Sequence, residues 1–276
     1  MIKSTANISP FSDVMFVENI QKNIDLLMEH MGHQKSDYKR RDFFSSLNKL
    51  QKDEYSIDDF REYPKLITQP QENELLTLKH LMTVDELQKD WMYSNEELKI
   101  IESKTIRALK IIEEQLPELY SVFNRLVGAL IFGKRGGFHG GSISDVIGII
   151  WLAPKDDWGV NTYAEHIFHE FTHQVLFLDD MINCIFPKSV PDMIDDKVVS
   201  SILHINRGYD KSYHSAFVSY SIIQLREKLG LDWDELWEPL KTTVSGLIEK
   251  GDVLSQHGYN QVLDLNNRII EMDEVA

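Results

Sequence analysis

Residues 163–178 read YAEHIFHEFTHQVLFL, and this stretch decides most of what the sequence predicts about the fold. Its large apolar side chains recur with the period of an α-helix, which predicts a helix with one face in the core. These side chains are Tyr163, Ile167, Phe171, Val175 and Leu178. The stretch contains His169-Glu170-Phe171-Thr172-His173, an HExxH motif. Two histidines four residues apart share a helix face, so both imidazoles can bind one metal ion. We therefore expect a buried metal-binding helix, with Glu170 placed to reach water or substrate.

The segment before this helix has a different character. Residues 133–142 form a glycine-rich loop, and the β-branched run at 146–152 predicts a strand. The glycines are not followed by the Lys-Ser or Lys-Thr of a phosphate loop. The loop is therefore interpreted as a hairpin turn or as a mobile rim over the site. Asn161 or Thr162 is expected to cap the start of the metal helix.

Most of the remaining chain has helical periodicity. Before the loop it predicts helices at 11–31, 35–52, 73–90 and 95–132, with a connection at 55–71. Ser94 is a candidate N-cap, and Pro117 should break the helix that follows it. After the metal helix it predicts helices at 192–204, 212–229, 232–250 and 252–272.

These elements predict an α+β fold that is predominantly helical, in which the HExxH helix lies next to a small sheet. We expect residues 1–132 to form a helical N-terminal lobe and residues 133–276 to form the metal-binding catalytic region. One continuous domain is the alternative. The chain has 276 residues, 42% of them hydrophobic, which is enough for a substantial core.

Composition excludes several functional classes. The formal charge of −15 argues against nucleic acid as a partner, because such proteins need a basic surface. The chain has one cysteine, Cys184, so it cannot form an internal disulfide, and we expect this side chain to be a small buried hydrophobe. The N-terminal residues show no signal core, and the longest apolar run, 146–154, is too short to span a bilayer. We therefore expect a cytoplasmic protein without a membrane partner.

A catalytic metal needs at least one ligand beyond the two motif histidines. The metzincin pattern would require a glycine at Leu176 and a ligand at Asp179, and only the second condition is met. The gluzincin pattern would require a glutamate on a later helix, and the sequence has none between Glu170 and Glu227.

The best remaining candidate for the third ligand is His214, which opens a second amphipathic segment. His166 shares the motif face, but three ligands on one helix cannot easily surround one small ion, so we expect it beside the ligands. His204 is expected to be structural.

Two segments together resemble a known family. They are the HExxH helix from Tyr163 onward and, about forty residues later, Arg207 followed by His214-Ser215-Ala216-Phe217-Val218. This pattern resembles the HExxH-motif proteins encoded beside ribosomally made, post-translationally modified peptides. The likeness covers roughly residues 142–225. Members are understood as Fe(II)- and 2-oxoglutarate-dependent peptide β-hydroxylases.

The resemblance implies that His169, His173 and His214 are metal ligands and that Arg207 holds the distal carboxylate of 2-oxoglutarate. Arginine suits this role because it forms two parallel charge-assisted hydrogen bonds. Non-haem iron oxygenases commonly add a carboxylate to two histidines, and Glu170, Asp179 and Asp210 are the candidates.

The sequence thus predicts a metal-dependent enzyme that acts on a peptide substrate. Fe(II)/2-oxoglutarate-dependent hydroxylation of a ribosomally made precursor peptide is the favoured reaction. The alternative is a zinc metallopeptidase with an unusual third ligand, in which Glu170 would act as general base and Zn²⁺ would replace iron. A non-catalytic protein that binds metal or peptide is a third possibility.

Overall fold

The computed structural model describes residues 11–35, 37–51, 63–188 and 196–275. Its helices are α1 (Val17–His30), α2 (Arg40–Leu50), α3 (Glu72–Leu81), α4 (Asn95–Gln115), α5 (Pro117–Leu126), α6 (Val160–Asn183), α7 (Tyr209–Leu229), α8 (Asp234–Glu249) and α9 (Gln256–Val275). Its strands are β1 (Lys65–Ile67), β2 (Ala129–Phe132), β3 (Gly140–Gly141), β4 (Ile149–Leu152), β5 (Lys197–Val199) and β6 (Asn206–Gly208). The fold is α+β and mostly helical, as the sequence predicted.

The chain divides into two compact units. One consists of residues 20–182, and the other combines residues 1–19 with 183–276. The sequence had suggested a boundary between residues 132 and 133. That position lies inside the first unit, directly after β2 and before β3 and β4, which belong to the same sheet.

The unit of residues 20–182 contains a four-stranded mixed sheet in the order β1-β2-β4-β3. The three strands β1, β2 and β4 are parallel, and β3 pairs with β4 in the antiparallel direction at one edge. All residues of β2 and β4 are buried, so neither strand alternates polar and apolar residues. The β-branched run at 146–152 predicted a strand, and β4 confirms it, whereas β2 was not predicted. The indole Nε1 of Trp151 in β4 donates to the Gly133 carbonyl at 2.8 Å, which fixes the start of the glycine-rich loop.

Several helix boundaries in this unit follow the sequence predictions. Ser94 caps α4 in a capping box with Glu97, and Pro117 occupies the first turn of α5, so the predicted long helix is two helices. Other expectations were wrong in part. The region predicted as a helix up to residue 132 ends in strand β2, and helix α3 stops at Leu81 instead of residue 90. Part of the predicted connection at 55–71 is strand β1, while residues 55–62 lie outside the described residues.

Helix α6 carries the HExxH motif and has the apolar face that the sequence predicted. Tyr163, Ile167, Phe171, Val175 and Leu178 are all essentially buried. Phe171 also meets the ring of Phe123 in α5 edge to face at 5.3 Å. The helix begins at Val160, so the predicted caps Asn161 and Thr162 lie inside its first turn.

One side chain of α6 ties this helix to the sheet. The Gln174 carboxamide accepts a hydrogen bond from the Gly148 amide at 2.6 Å and donates to the Ile149 carbonyl at 3.2 Å. It therefore binds the beginning of β4 as a neighbouring strand would. The helix that carries HExxH therefore lies next to a small sheet, as expected.

The second unit contains α7, α8 and α9 together with the two-stranded antiparallel sheet of β5 and β6. The helix predicted at 192–204 was wrong in its described part, where strand β5 is followed by a turn; residues 192–195 lie outside the described residues. The three later helices lie within a few residues of their predicted ranges. Arg268 of α9 holds the N-terminal segment through Asp13, at 3.2 Å, and contacts the Phe16 ring.

Two further expectations concern single features. Cys184 is exposed and not buried, because it follows the end of α6 with a left-handed backbone (φ 50°) that turns it outward. Within the described ranges, no helix is long and apolar enough to cross a membrane.

Candidate metal centre

His169 and His173 lie next to each other on one face of α6. Their ring centroids are 5.0 Å apart, as the spacing of four residues requires. Burial, with smaller contributions from the neighbouring His173 and His139, lowers the pKa of His169 to about 3. Neutral imidazole is the form that binds a metal. His169 is therefore in the right protonation state to act as a ligand near neutral pH.

Glu170, the second residue of the motif, is almost completely buried. Its Oε1 lies 3.9 Å from Nε2 of His169, and its Oε2 has no hydrogen-bond partner among the described residues. Burial raises the pKa of this carboxyl to about 8, and the hydroxyl of Ser142 lowers it somewhat. A buried carboxyl oxygen without a partner is costly, and such groups are concentrated at functional sites.

The glycine-rich loop brings a histidine that sequence reasoning did not consider. The His139 ring lies 5.0 Å from that of His166 on α6, and Nζ of Lys155 is 2.7 Å from Nε2 of His139. Burial and Lys155 both lower the pKa of His139. The only signal in the sequence was one histidine between two glycine pairs, in the segment interpreted as a rim. The loop therefore contributes a side chain to the surroundings of the motif.

His166 is packed against aromatic side chains. It stacks on Trp158 at 4.1 Å between ring centroids with nearly parallel rings, and its centroid lies 6.4 Å from that of His169. His166 therefore lies beside the HExxH pair, and its expected role next to metal ligands stays a prediction.

A small cavity of about 170 Å³ lies beside the first turns of α6. Tyr93, Lys104 and Tyr163 contribute to its wall. The Tyr93 hydroxyl donates to the Pro154 carbonyl at 2.7 Å, and the Lys104 ammonium donates to the Trp158 carbonyl at 2.6 Å. These polar groups are already engaged within the protein, which argues against the cavity as a binding site.

The two other predicted site residues belong to the second unit. His214 lies in the second turn of α7, is half-buried, and has its pKa lowered by burial to about 4. Arg207 lies in β6, opposite Val198 of β5, and is also half-buried. Its guanidinium makes no ion pair or hydrogen bond within the described part of the chain.

The alternative ligands are placed as follows. Asp179 is buried in α6, where its Oδ1 accepts a hydrogen bond from Nδ2 of Asn23 at 2.7 Å. Asp210 lies in the first turn of α7, and Lys211 beside it is exposed. His204 is exposed with a left-handed backbone (φ 55°), so it does not support a core.

Among the residues that the structure describes, no three His, Cys, Asp or Glu side chains are grouped as a metal ion would require. A scan against protein-family models finds none that matches this chain, and a search of curated proteins finds no significant similarity. The arrangement on α6 thus offers two candidate ligands, His169 and His173, beside the buried carboxyl of Glu170.

Proposed function

We propose that this chain is a metal-dependent enzyme that modifies a peptide, with His169 and His173 as two of the ligands. One observation carries the proposal: two histidines lie side by side on a core helix, next to a buried carboxyl whose Oε2 has no partner among the described residues. A carboxyl oxygen inside a protein is normally satisfied by hydrogen bonds. A divalent ion would give these groups a common partner.

The donor set fits a first-row divalent metal. Imidazole nitrogens suit both iron(II) and zinc, so the pair on α6 does not select between them. His214 is the proposed third ligand, on the basis of the family resemblance and of a pKa that keeps its ring neutral near pH 7. Glu170 is close enough to His169 to orient it or to act on a group bound nearby.

The favoured reaction is hydroxylation of a peptide at a β-carbon, dependent on Fe(II) and 2-oxoglutarate. Bound iron with its cosubstrate would supply the oxidising power: O₂ and 2-oxoglutarate are consumed, the C–H bond becomes C–OH, and succinate and CO₂ are released. The chain's own contribution is to hold the cosubstrate and the peptide. Arg207 is the proposed partner of the distal carboxylate, since its half-buried guanidinium makes no ion pair among the described residues.

The decisive experiment is anaerobic reconstitution with Fe(II), followed by addition of 2-oxoglutarate. An absorption band that develops on addition of 2-oxoglutarate, and that is absent in His169→Ala, is the expected result. His30→Ala is a matched control, because His30 is an exposed histidine at the end of α1. Binding of iron without any spectral response to 2-oxoglutarate would contradict the oxygenase proposal and leave only the metal site.

Arg207 can be tested separately. Loss of a buried charge-assisted pair costs about 2–5 kcal/mol, so Arg207→Ala should raise the half-saturating 2-oxoglutarate concentration at least about tenfold. Arg207→Lys should rescue only part, because lysine keeps the charge and loses the bidentate geometry. Succinate release at saturating peptide is the measurement. An unchanged half-saturation in Arg207→Ala would remove this residue from the site and make Lys211 the next cation to test.

The environment of Glu170 keeps a second reaction open, hydrolysis of a peptide by a zinc enzyme. A carboxyl with a pKa near 8 beside a metal-ligand histidine is a candidate general base, which would take the proton of the attacking water. In that case Glu170→Gln abolishes turnover while zinc stays bound. In the oxygenase no water is deprotonated, so the same variant should act mainly through metal affinity or positioning. Peptide hydrolysis by the wild type, lost in Glu170→Gln with full zinc content, would decide for the peptidase.

A further inference from the structure

Strand β3 is the edge of the four-stranded sheet, and one residue of it directs its backbone groups outward. In an antiparallel pair, successive residues point their N–H and C=O groups alternately toward the partner strand and away from it. The amide of Ala153 donates to the His139 carbonyl at 2.8 Å, so His139 and Gly141 face β4. By alternation the N–H and C=O of Gly140 face away from the sheet.

The opposite side of the ladder gives the same assignment independently. Leu152 is paired with Gly140, but the Leu152 carbonyl accepts from the Gly133 amide at 3.1 Å, on the β2 side. The N–H and C=O of one strand residue point to the same side, so both groups of Leu152 face β2 and neither can bond to Gly140.

This edge runs beside the residues of the HExxH helix. The ring centroid of His139, directly before β3, lies 5.0 Å from that of His166, and Ser142 directly follows β3. Oγ of Ser142 is buried without a hydrogen-bond partner in the described ranges, as is Oε2 of Glu170 on α6. The outward-facing backbone groups of Gly140 thus lie between a histidine that contacts the HExxH helix and an unsatisfied hydroxyl.

We propose that an extended stretch of the peptide substrate adds to the edge of β3, pairing its own N–H and C=O groups with those of Gly140. This proposal rests on the proposed peptide-modifying function and describes how the enzyme would bind its substrate. An extended peptide uses main-chain hydrogen bonds for affinity, whatever its side chains are, and leaves alternate side chains free to point toward the motif.

Glycine is required at position 140 of this edge for a steric reason. A Cβ on Gly140 would come within 2.6 Å of the Trp151 carbonyl oxygen, so any side chain would push the edge out of place. A strand of two residues is also too short to hold two protein copies together, since a stable protein interface needs about 800 Å² from each partner. A peptide that gains further contacts near the motif is therefore the better occupant.

The test follows the Gly140 amide by hydrogen exchange in protein labelled with ¹⁵N-glycine. The probe is a hexapeptide of alternating threonine and valine, blocked at both ends, added at millimolar concentration to metal-free protein. We expect exchange at Gly140 to slow at least about tenfold, while Gly136 and Gly137 are unchanged. The same peptide with every amide nitrogen methylated keeps its side chains and loses its donors, and should give no protection.

A pair of variants supports the assignment. Gly140→Ala should weaken binding of the hexapeptide at least about tenfold, because the new Cβ displaces the edge. Gly136→Ala in the same loop is the matched control, since a Cβ there meets no atom within 4 Å, and its affinity should not change. If the spectrum of Gly140→Ala shows that the variant is unfolded, the proposal is tested only by comparing the methylated and unmethylated peptides on the wild-type protein.

Three results would overturn the proposal. They are absence of protection at Gly140 up to the solubility of the hexapeptide, equal protection by the methylated peptide, and protection that rises with protein concentration when no peptide is present. The last would assign the edge to a second copy of this chain. Because the assay contains no iron and no 2-oxoglutarate, it can succeed while the hydroxylase proposal fails, and it can fail while that proposal holds.

Discussion

Helices α6 and α7 are both long and largely buried, yet they treat their polar groups differently. In α7 the hydroxyls of Ser212 and Ser215 donate to backbone carbonyls, and Ser219 joins Ser201 at 2.8 Å. Among the serine hydroxyls of that helix, the one of Ser221 is buried without a partner in the described part of the chain. In α6 an acidic oxygen, on Glu170, has none. Hydroxyl groups paired within the protein serve its stability, whereas an unpaired buried acid is expensive and indicates a use.

The largest expected difference concerns metal binding. His169→Ala in α6 should lower metal affinity at least about a hundredfold, since loss of a direct ligand exceeds the effect of losing an outer partner. If α7 supplies the third ligand, His214→Ala should lose at least as much metal. Metal per chain after dialysis is the measurement, with His30→Ala as the control. Full metal retention in His214→Ala would show that α7 supplies no ligand, and Asp179 or His166 would become the next candidates for the third ligand.

The next largest effect concerns stability and tests whether the apolar face of α6 is part of the core. Phe171 is fully buried against Phe123, so Phe171→Ala should lower the free energy of unfolding by about 3–5 kcal/mol. Chemical denaturation measures it. Ile106→Ala is the control on α4, where the side chain is 54% exposed and the change should stay within about 0.5 kcal/mol. A small loss at Phe171 would mean that this face of α6 is not part of the core.

A smaller effect tests the cost of the unpaired acid in the metal-free protein. Burial raises the pKa of Glu170 from 4.5 to about 8. The folded state therefore binds this proton more tightly than the unfolded state, and stability falls as the pH rises from about 4.5 to 8. Glu170→Gln removes the charge, so at pH 8 it should be more stable than the wild type by roughly 1–3 kcal/mol.

The comparison between pH 4 and pH 8 contains its own control, because the gain from Glu170→Gln should disappear at pH 4, where the wild-type carboxyl is protonated in both states. Glu102→Gln, at an exposed position of α4, should show no such trend. A gain that is equal at both pH values would have another cause than the ionisation of Glu170.

The smallest effect concerns the paired hydroxyls of the second unit. Ser219→Ala removes one of the groups near Ser201, but the Ser201 hydroxyl still reaches the Ser215 carbonyl at 2.9 Å. The free energy of unfolding should therefore fall by only about 0.5–1.5 kcal/mol. Thermal unfolding, compared with exposed Thr242→Ala on α8, checks it. A loss above about 3 kcal/mol would show that the hydroxyl cluster is more than a set of separate pairs.

Long periodic segments were predictable from the sequence, and so was β4, whose β-branched run stands between turn residues. Strands β2, β5 and β6 were not predictable in this way. The face of α6, the Ser94 cap and the break at Pro117 each rest on local rules that hold within one helix. Strand β2 has only four residues, all buried, so it continues the apolar pattern of the helix before it. In β5 and β6 the pairing partner lies about ten residues away, and no local pattern reports it.

The candidate site shows the same limit. The HExxH pair was readable because its spacing alone sets the geometry on a helix. His139 and Ser142 were not, since they approach α6 only through the pairing of β3 with β4. Residues brought in by strand pairing leave no periodic trace in the sequence, which is why the loop was interpreted as a turn or a rim.

The bonds of Gln174 have a mechanical consequence for the motif beside it. A helix turns by about 100° for each residue that it slides along its axis. If α6 slid by one residue against the sheet, the Gln174 carboxamide would leave Gly148 and Ile149, and the neighbouring His173 would rotate to another side. One neutral side chain thus fixes both the rotation of the helix and its position along its axis. As a result, the two motif histidines keep a fixed orientation relative to β4, the strand that pairs with the edge strand β3.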